Sequence, residues 1–418
     1  MRRLLPLLLI GLALVGAAWW LRSSPYLREP ILRGKDVAEL EAAVRAQPND
    51  TLARYYLAKR YYLQRRFALA RDAYEAAARL DPRSARVQLG LALSLYEMGD
   101  RQQARAAFEQ TLRLDNRSAW AEYMLGKLLW LDGNVKAALP HVRRATELDP
   151  RSDQAWYGLA VCYAQMRNYS AAIQALRQAV ARREDSSQYH TALGEMLVYR
   201  GYTDEGRRHY ERALELKPDY GPACALMGSF YLHNAPGPDA LNRAEALLTR
   251  ATRLQSHRPV DVWLDLGQLY VQKAQWVKAV QALQKAQSEE PRDERIYYAL
   301  AGAYRRMGDV KKAAVTEARF RRISALHVRM QDLEARLTHD PDNAAVHLDL
   351  ARVYRNLDLP HKAAPHYEAA LRLRPQAAAV ANEGRQFLSE HAAPAAPADE
   401  QRTADFVLPP LLAPAQQP

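Results

Sequence analysis

The sequence predicts an all-α fold of stacked helical hairpins, and three observations predict it. Prolines recur on a grid of 34 residues: Pro48, Pro82 and Pro150 lie on it, Asn116 occupies the vacant point, and Pro341 and Pro375 restart it. Between these prolines, apolar and small residues return at the same offsets with helical spacing, so each segment buries one stripe. Breakers such as Met98-Gly99-Asp100 and Met307-Gly308-Asp309 fall halfway along each unit, where glycine takes positive φ at little cost. A fixed period in this range marks a repeat solenoid. One hairpin cannot hide its apolar face, so neighbours must stack.

Taken in order, the chain opens on Arg2-Arg3 and an uncharged, mostly apolar run over 4–21, closed by Arg22. That run is about the shortest that crosses a bilayer, roughly 18 to 20 residues. Trp19 and Trp20 suit the lipid headgroup level, which favours an uncleaved transmembrane anchor. Gly16-Ala17-Ala18 offers the alternative of a signal segment cut after Ala18, and a buried soluble helix is a third reading. Residues 22–36 form a juxtamembrane linker whose Arg22, Arg28, Arg33 and Lys35 outnumber the cations before the span. Counted alone, those charges keep the repeats in the cytoplasm. Long domains cross largely regardless of them, so the expected location is a bacterial inner membrane with the repeats in the periplasm.

The main array is read over 37–309. Its first full repeat carries Leu57, Ala58, Tyr61, Ala70, Tyr74 and Ala77. The same offsets return as Leu91, Ala92, Leu95, Gly99, Ala104 and Phe108, then as Leu125, Gly126, Leu129, Gly133, Ala138 and Ala145. Small residues at these points let two helix backbones approach. Serines in the links at 81–84, 115–118 and 149–152 are placed to cap the following helix. The sixth repeat, opening at Gly221, carries extra residues over 233–238, so its turn is expected to bulge.

From Val310 to Leu337 apolar residues recur without glycine or proline, which reads as one long helix, or two joined ones, inserted over 310–340. Leu333-Glu334-Ala335 stands eight residues before Pro341, as Leu40-Glu41-Ala42 stands before Pro48. Both therefore read as a lone second helix leading into a fresh hairpin. Residues 341–391 hold the last repeat and a capping helix, and the Pro- and Ala-rich tail over 392–418 is expected to be disordered.

These residues resemble the tetratricopeptide repeat family over 51–375. The resemblance implies a right-handed superhelical solenoid whose concave groove holds a protein or an extended peptide. It also implies that positions two, five, nine and twelve of each first helix line that groove. Read here, they give Tyr55, Lys59, Tyr62, Leu89, Tyr96, Trp120, Tyr123, Lys127, Trp130, Gln154 and Tyr157 in the N-terminal half. Further on come Gln188, Thr191, Glu195, Asp261, Leu264 and Gln268, then Arg295, Tyr298, Arg305, Arg352 and Arg355. The first half is aromatic with two lysines, and the second is polar, then basic. Tyrosine and tryptophan suit an extended guest because they bury large area and keep a hydrogen-bonding tip. Equally, any one of these rings can serve simply to pack against the next repeat. The lysine and asparagine clamp of chaperone-binding members is not matched at Tyr55 and Lys59 or at Tyr123 and Lys127.

A net charge of +12 is spread over many helix faces and reads mostly as solvated surface, so nucleic acid is not the expected partner. Two cysteines, Cys162 and Cys224, fall in separate repeats and are expected to be buried and unpaired. No phosphate loop, nucleophile elbow, Cys-x-x-Cys or His-Glu-x-x-His occurs, the eleven histidines are scattered, and no cofactor or metal is expected. The function expected is a non-catalytic, membrane-tethered scaffold that binds other proteins in assembling an envelope complex. Two alternatives are a targeting subunit presenting substrate to a separate enzyme and a secreted glycan-binding solenoid.

Overall fold

The structure, a computed structural model, describes residues 25–391 apart from 236, 255–258 and 376–377. The expected anchor over 4–21, the start of its linker and the tail over 392–418 lie outside the described residues. Among the described residues no strand occurs, and no helix is long and apolar enough to cross a membrane.

Two helices, α1 (Pro25–Gly34) and α2 (Val37–Ala46), precede a series of antiparallel hairpins. The first four pair α3 (Thr51–Leu63) with α4 (Phe67–Leu80), α5 (Ala85–Glu97) with α6 (Arg101–Leu114), α7 (Ala119–Leu131) with α8 (Val135–Leu148) and α9 (Asp153–Gln165) with α10 (Tyr169–Arg182). Then come α11 (Ser187–Tyr199) with α12 (Thr203–Leu216), α13 (Gly221–Asn234) with α14 (Pro238–Arg253) and α15 (Pro259–Gln272) with α16 (Trp276–Glu289). The last are α17 (Glu294–Arg306) with α18 (Val310–His339) and α19 (Ala344–Asn356) with α20 (Pro360–Leu373), closed by α21 (Ala378–Glu390). The chain divides into two compact units between Glu184 and Asp185, the first holding α1–α10 and the second α11–α21. That junction falls inside the stretch read above as one array.

Local chemistry sets these boundaries. Asp36 and Glu39 form a reciprocal capping box at α2, each side chain accepting from the other's backbone N–H at 2.9 Å. Ser118 and Ser152 accept from the backbone of Ala121 and Ala155, as expected of capping serines. Ser84 occupies the same place but makes no such bond, while in all three links the aspartate three residues earlier accepts from the arginine N–H, Asp81 from Arg83, Asp115 from Arg117 and Asp149 from Arg151. Inside the hairpins the turns share one left-handed residue. Glycine supplies it at Gly99, Gly133, Gly201 and Gly308, whereas Arg65, Arg167, Ala274 and Asp358 adopt it with side chains. The sixth hairpin departs from the rule, turning through Gly237 at φ 100°.

The grid prolines have a structural partner that periodicity alone does not reveal. In five hairpins position four of the first helix faces the carbonyl of the proline six residues earlier. Arg54 Nε reaches Pro48 O (2.8 Å), Trp156 Nε1 reaches Pro150 O (3.0 Å), and Tyr297 Oη reaches Pro291 O (2.7 Å). The Cys224 thiol faces Pro218 O (3.7 Å) and His347 Nε2 faces Pro341 O (2.9 Å). One carbonyl, in the link just past the cap of the preceding helix, is thus satisfied by quite different side chains.

Helix α18 runs unbroken for 30 residues and serves two hairpins. Ala313 joins the core of α15–α17, while Ile323 and Leu333 join the core of α19–α21. Tyr354 donates to Glu334 Oε1 at 2.6 Å, and Tyr61 donates to Glu41 Oε1 at 2.6 Å. The second half of α18 therefore relates to α19 as α2 relates to α3. Cys162 and Cys224 are free and buried, and burial pushes the Cys162 thiol up to about 12.

Candidate protein-binding face

In the N-terminal unit the first helices lie side by side, α3 meeting α5 and α7 meeting α9. This apposition follows from small residues beneath them. A Cβ on Gly126 would stand 2.4 Å from Val142 Cγ2 and one on Gly90 would stand 2.3 Å from the Tyr74 ring, so each first helix is seated deep against its neighbours.

The structure distributes the expected groove residues over three environments. Lys59 is exposed and Trp120 retains 39% of its surface. Tyr55, Tyr62 and Trp130 are half-buried. Tyr96, Tyr123, Lys127 and Tyr157 are buried, Lys127 to 6% exposure, so these four serve the packing between repeats as well as any guest. An amphipathic period states which face a residue occupies, not how far the next repeat covers it.

Several of them are brought together. The Lys127 ammonium lies 5.3 Å from the centre of the Tyr96 ring, a cation over a π face. Tyr62 stands beside Glu97 and near Tyr96, and its hydroxyl is pushed up to about 12, first by burial and then by the Glu97 carboxylate. The Tyr96 hydroxyl is buried and has no hydrogen-bond partner among the described residues. Trp120 and Tyr123 pack at 5.3 Å between centroids, leaving the indole edge in solvent. Tyr62, Tyr96 and Lys127 thus form a ladder across α3, α5 and α7.

Tyr55 is drawn the other way. Its ring packs edge-on against Tyr56 and Tyr74 and is covered by the Arg86 guanidinium at 5.1 Å. Arg86 pairs in turn with Glu29 (3.0 Å), which also accepts from Tyr56 (2.6 Å). The hydrogen bond from Tyr56 is the main reason the Glu29 carboxyl lies below its ordinary range. Arg86 escaped the sequence reading although it stands at position two of α5. What makes it matter is Glu29, which lies 57 residues away in sequence.

The basic positions of the C-terminal unit are mostly neutralised by their own chain. Arg295 reaches Asp261 (3.0 Å) and Asp293 (2.6 Å), and Arg305 reaches Glu317 (3.2 Å). Arg352 and Arg355 share Glu383 of α21 at 2.7 and 2.9 Å. Burial pulls the Glu383 carboxyl up, yet hydrogen bonds from Arg352 and Tyr367 hold it below its ordinary range. Tyr298 is left 70% exposed against Phe320. No cluster of three or more His, Cys, Asp or Glu able to hold a metal occurs among the described residues.

Known proteins carry the same repeat. One tetratricopeptide repeat profile matches residues 37–85, 89–140 and 264–325, a second matches 129–196, and a third matches 344–376. Among solved structures, YrrB, described as a TPR protein with an unusual peptide-binding site, is 20% identical with a TM-score of 0.40, over 45% of this chain and 97% of its own. MamA from Desulfovibrio magneticus RS-1 is 22% identical with a TM-score of 0.38, over 41% of this chain and 96% of its own. Yeast Tom70 is 17% identical with a TM-score of 0.40, over 66% of this chain and 58% of its own. No curated protein gives a significant match. With repeat profiles matching residues 37–85, 89–196, 264–325 and 344–376, more than half of its length, this chain belongs to the tetratricopeptide repeat family.

Proposed function

We propose that the protein is a non-catalytic scaffold that holds a partner protein along the first helices of its N-terminal unit, tethered to a membrane through residues 4–21. The observation that carries the reading is the Tyr96 hydroxyl. It sits within the ladder of Tyr62, Tyr96 and Lys127, buried and without a hydrogen-bond partner among the described residues. Leaving such a group unpaired costs about 1–3 kcal/mol, a cost that a carbonyl of a docked chain offsets. Trp120 of α7 and Lys59 of α3, on the same set of first helices, offer exposed area and a donor, the combination that an extended segment uses. Tethering raises the effective concentration near other membrane proteins, so modest contacts suffice to assemble an envelope complex.

Site-specific photo-crosslinking in intact cells tests this. A photoreactive residue at Trp120 or Lys59 is expected to yield discrete protein adducts, and the same residue at Leu69 of α4 is expected to yield none. Tyr96→Phe in the Trp120-labelled protein should reduce adduct yield roughly tenfold with unchanged helical circular dichroism, as loss of about 1–1.5 kcal/mol requires. Equal labelling from Leu69, or no effect of Tyr96→Phe, rejects this face. Removing residues 1–21 should move the protein to the soluble fraction, and persistent membrane attachment would contradict the tether.

A further inference from the structure

Position four of a first helix and position seven of its second helix stand 19 residues apart, and in two hairpins of the C-terminal unit both are histidine. His347 and His366 bring Nδ1 to Nδ1 at 2.9 Å, with ring centroids 5.2 Å apart. His190 and His209 repeat the arrangement at 2.9 and 5.1 Å. Those centroid separations are about as large as rings meeting nitrogen to nitrogen can reach. The nitrogens therefore point at one another, rather than converging on a third point as two ligands of one metal would.

At His347 the proton inventory is set by the neighbouring carbonyl. Pro341 O can only accept, so the His347 Nε2 that faces it at 2.9 Å carries hydrogen, as Arg54, Trp156 and Tyr297 do at equivalent places. In the neutral ring Nδ1 is then an acceptor, and His366 Nδ1 must donate to it. A proton added at His366 Nε2 leaves that bond in place. A further proton has only His347 Nδ1 to occupy, where two N–H groups and two positive charges would meet head to head. The rings must then part.

We propose that the His347–His366 pair is a proton-released latch between α19 and α20, closed while at most one of the two rings is charged and loosened as pH falls below the ordinary histidine range and both take a proton. The surroundings agree. Burial holds His366 below its usual value, the facing His347 adds to this, and Glu334 of α18 acts in the opposite sense. From α19 the Tyr354 ring stacks on His366 at 5.6 Å, while its hydroxyl is engaged by Glu334. Of the two carboxylates of α21, Glu383 is directed to Arg352, Arg355 and Tyr367, and Glu390 accepts from Gln386. Because the folded value lies below the unfolded one of about 6.5, the contribution of His366 is complete above that pH. It is lost as pH falls towards the folded value.

Hydrogen exchange of the full-length protein at pH 7.5 and 5.0, corrected for intrinsic rates, reads the latch directly. Protection across α19 and α20 is expected to fall on the order of tenfold relative to α15 and α16, where the equivalent residues are Trp263 and Ala282. The double variant His347→Trp/His366→Ala copies that pair, and single His366→Ala serves where the tryptophan does not fit. Either should bring the α19–α20 response within twofold of the reference hairpin. Equal protection of the unaltered protein at both pH values, or an undiminished response in a folded variant, overturns the proposal.

Discussion

At the scale of single residues, the hairpins depend on a few places where a side chain is either forbidden or indispensable. Gly194 is the sharpest case. A Cβ there would lie 2.7 Å from the Tyr210 ring and 2.9 Å from Gly206 O, and a backbone oxygen cannot swing aside. Gly194→Ala is therefore expected to destabilise the α11–α12 hairpin by about 1–3 kcal/mol, read as a lowered denaturant midpoint at unchanged slope. An unaltered midpoint would mean that the helices separate freely. The residues bonded to the grid prolines show the opposite tolerance. Arg54, Trp156, Tyr297 and His347 share nothing but a donor at the right distance, which is why no sequence pattern announced them. Groove candidates were legible as a face but not as a surface. Tyr96 and Lys127 lie on the expected stripe, yet the neighbouring repeat covers them, and coverage depends on where that repeat sits.

At the scale of elements, α18 carries the main lesson. Its unbroken run of helix formers and the match of Leu333-Glu334-Ala335 to Leu40-Glu41-Ala42 were readable from the chain. The bonds from Tyr354 to Glu334 and from Tyr61 to Glu41 give that match a physical cause. The two cores that α18 joins are served by different halves of one helix, so the continuity of the backbone matters between them. Ala325 is exposed at mid-helix, and Ala325→Pro there removes a backbone hydrogen bond and clashes with the preceding turn, a cost of about 3 kcal/mol or more. Hydrogen exchange should then show loss of protection in the second half of α18 and in α19–α21, with α15–α17 retained. Uniform loss across α15–α21 would instead mark a single cooperative block.

At the scale of the whole molecule, stability is a sum over neighbours rather than a property of one central core. The compact units meet between Glu184 and Asp185, a link that carries no glycine, proline or shift in composition. Expressed separately, residues 25–184 and 185–391 should each keep helical circular dichroism and a cooperative thermal transition. A fragment melting without cooperativity would deny that unit its independence. The net charge of +12 has its own whole-molecule reading. Much of the expected basic surface is spent internally, Arg352 and Arg355 on Glu383 and Arg295 on Asp261 and Asp293, so formal charge overstates what a partner meets.

The sequence by itself determined the repeat and its hairpin turns, because both follow from spacing along one or two helices, and the family resemblance named the face of the first helices proposed for a guest. Tertiary structure alone decided which rings on that face remain open, which arginines are already paired and which histidines meet. Those outcomes depend on groups tens of residues apart, as when Glu29 reaches Arg86 or Glu383 reaches Arg352. Local periodicity carries no information about such distances until the hairpins stack.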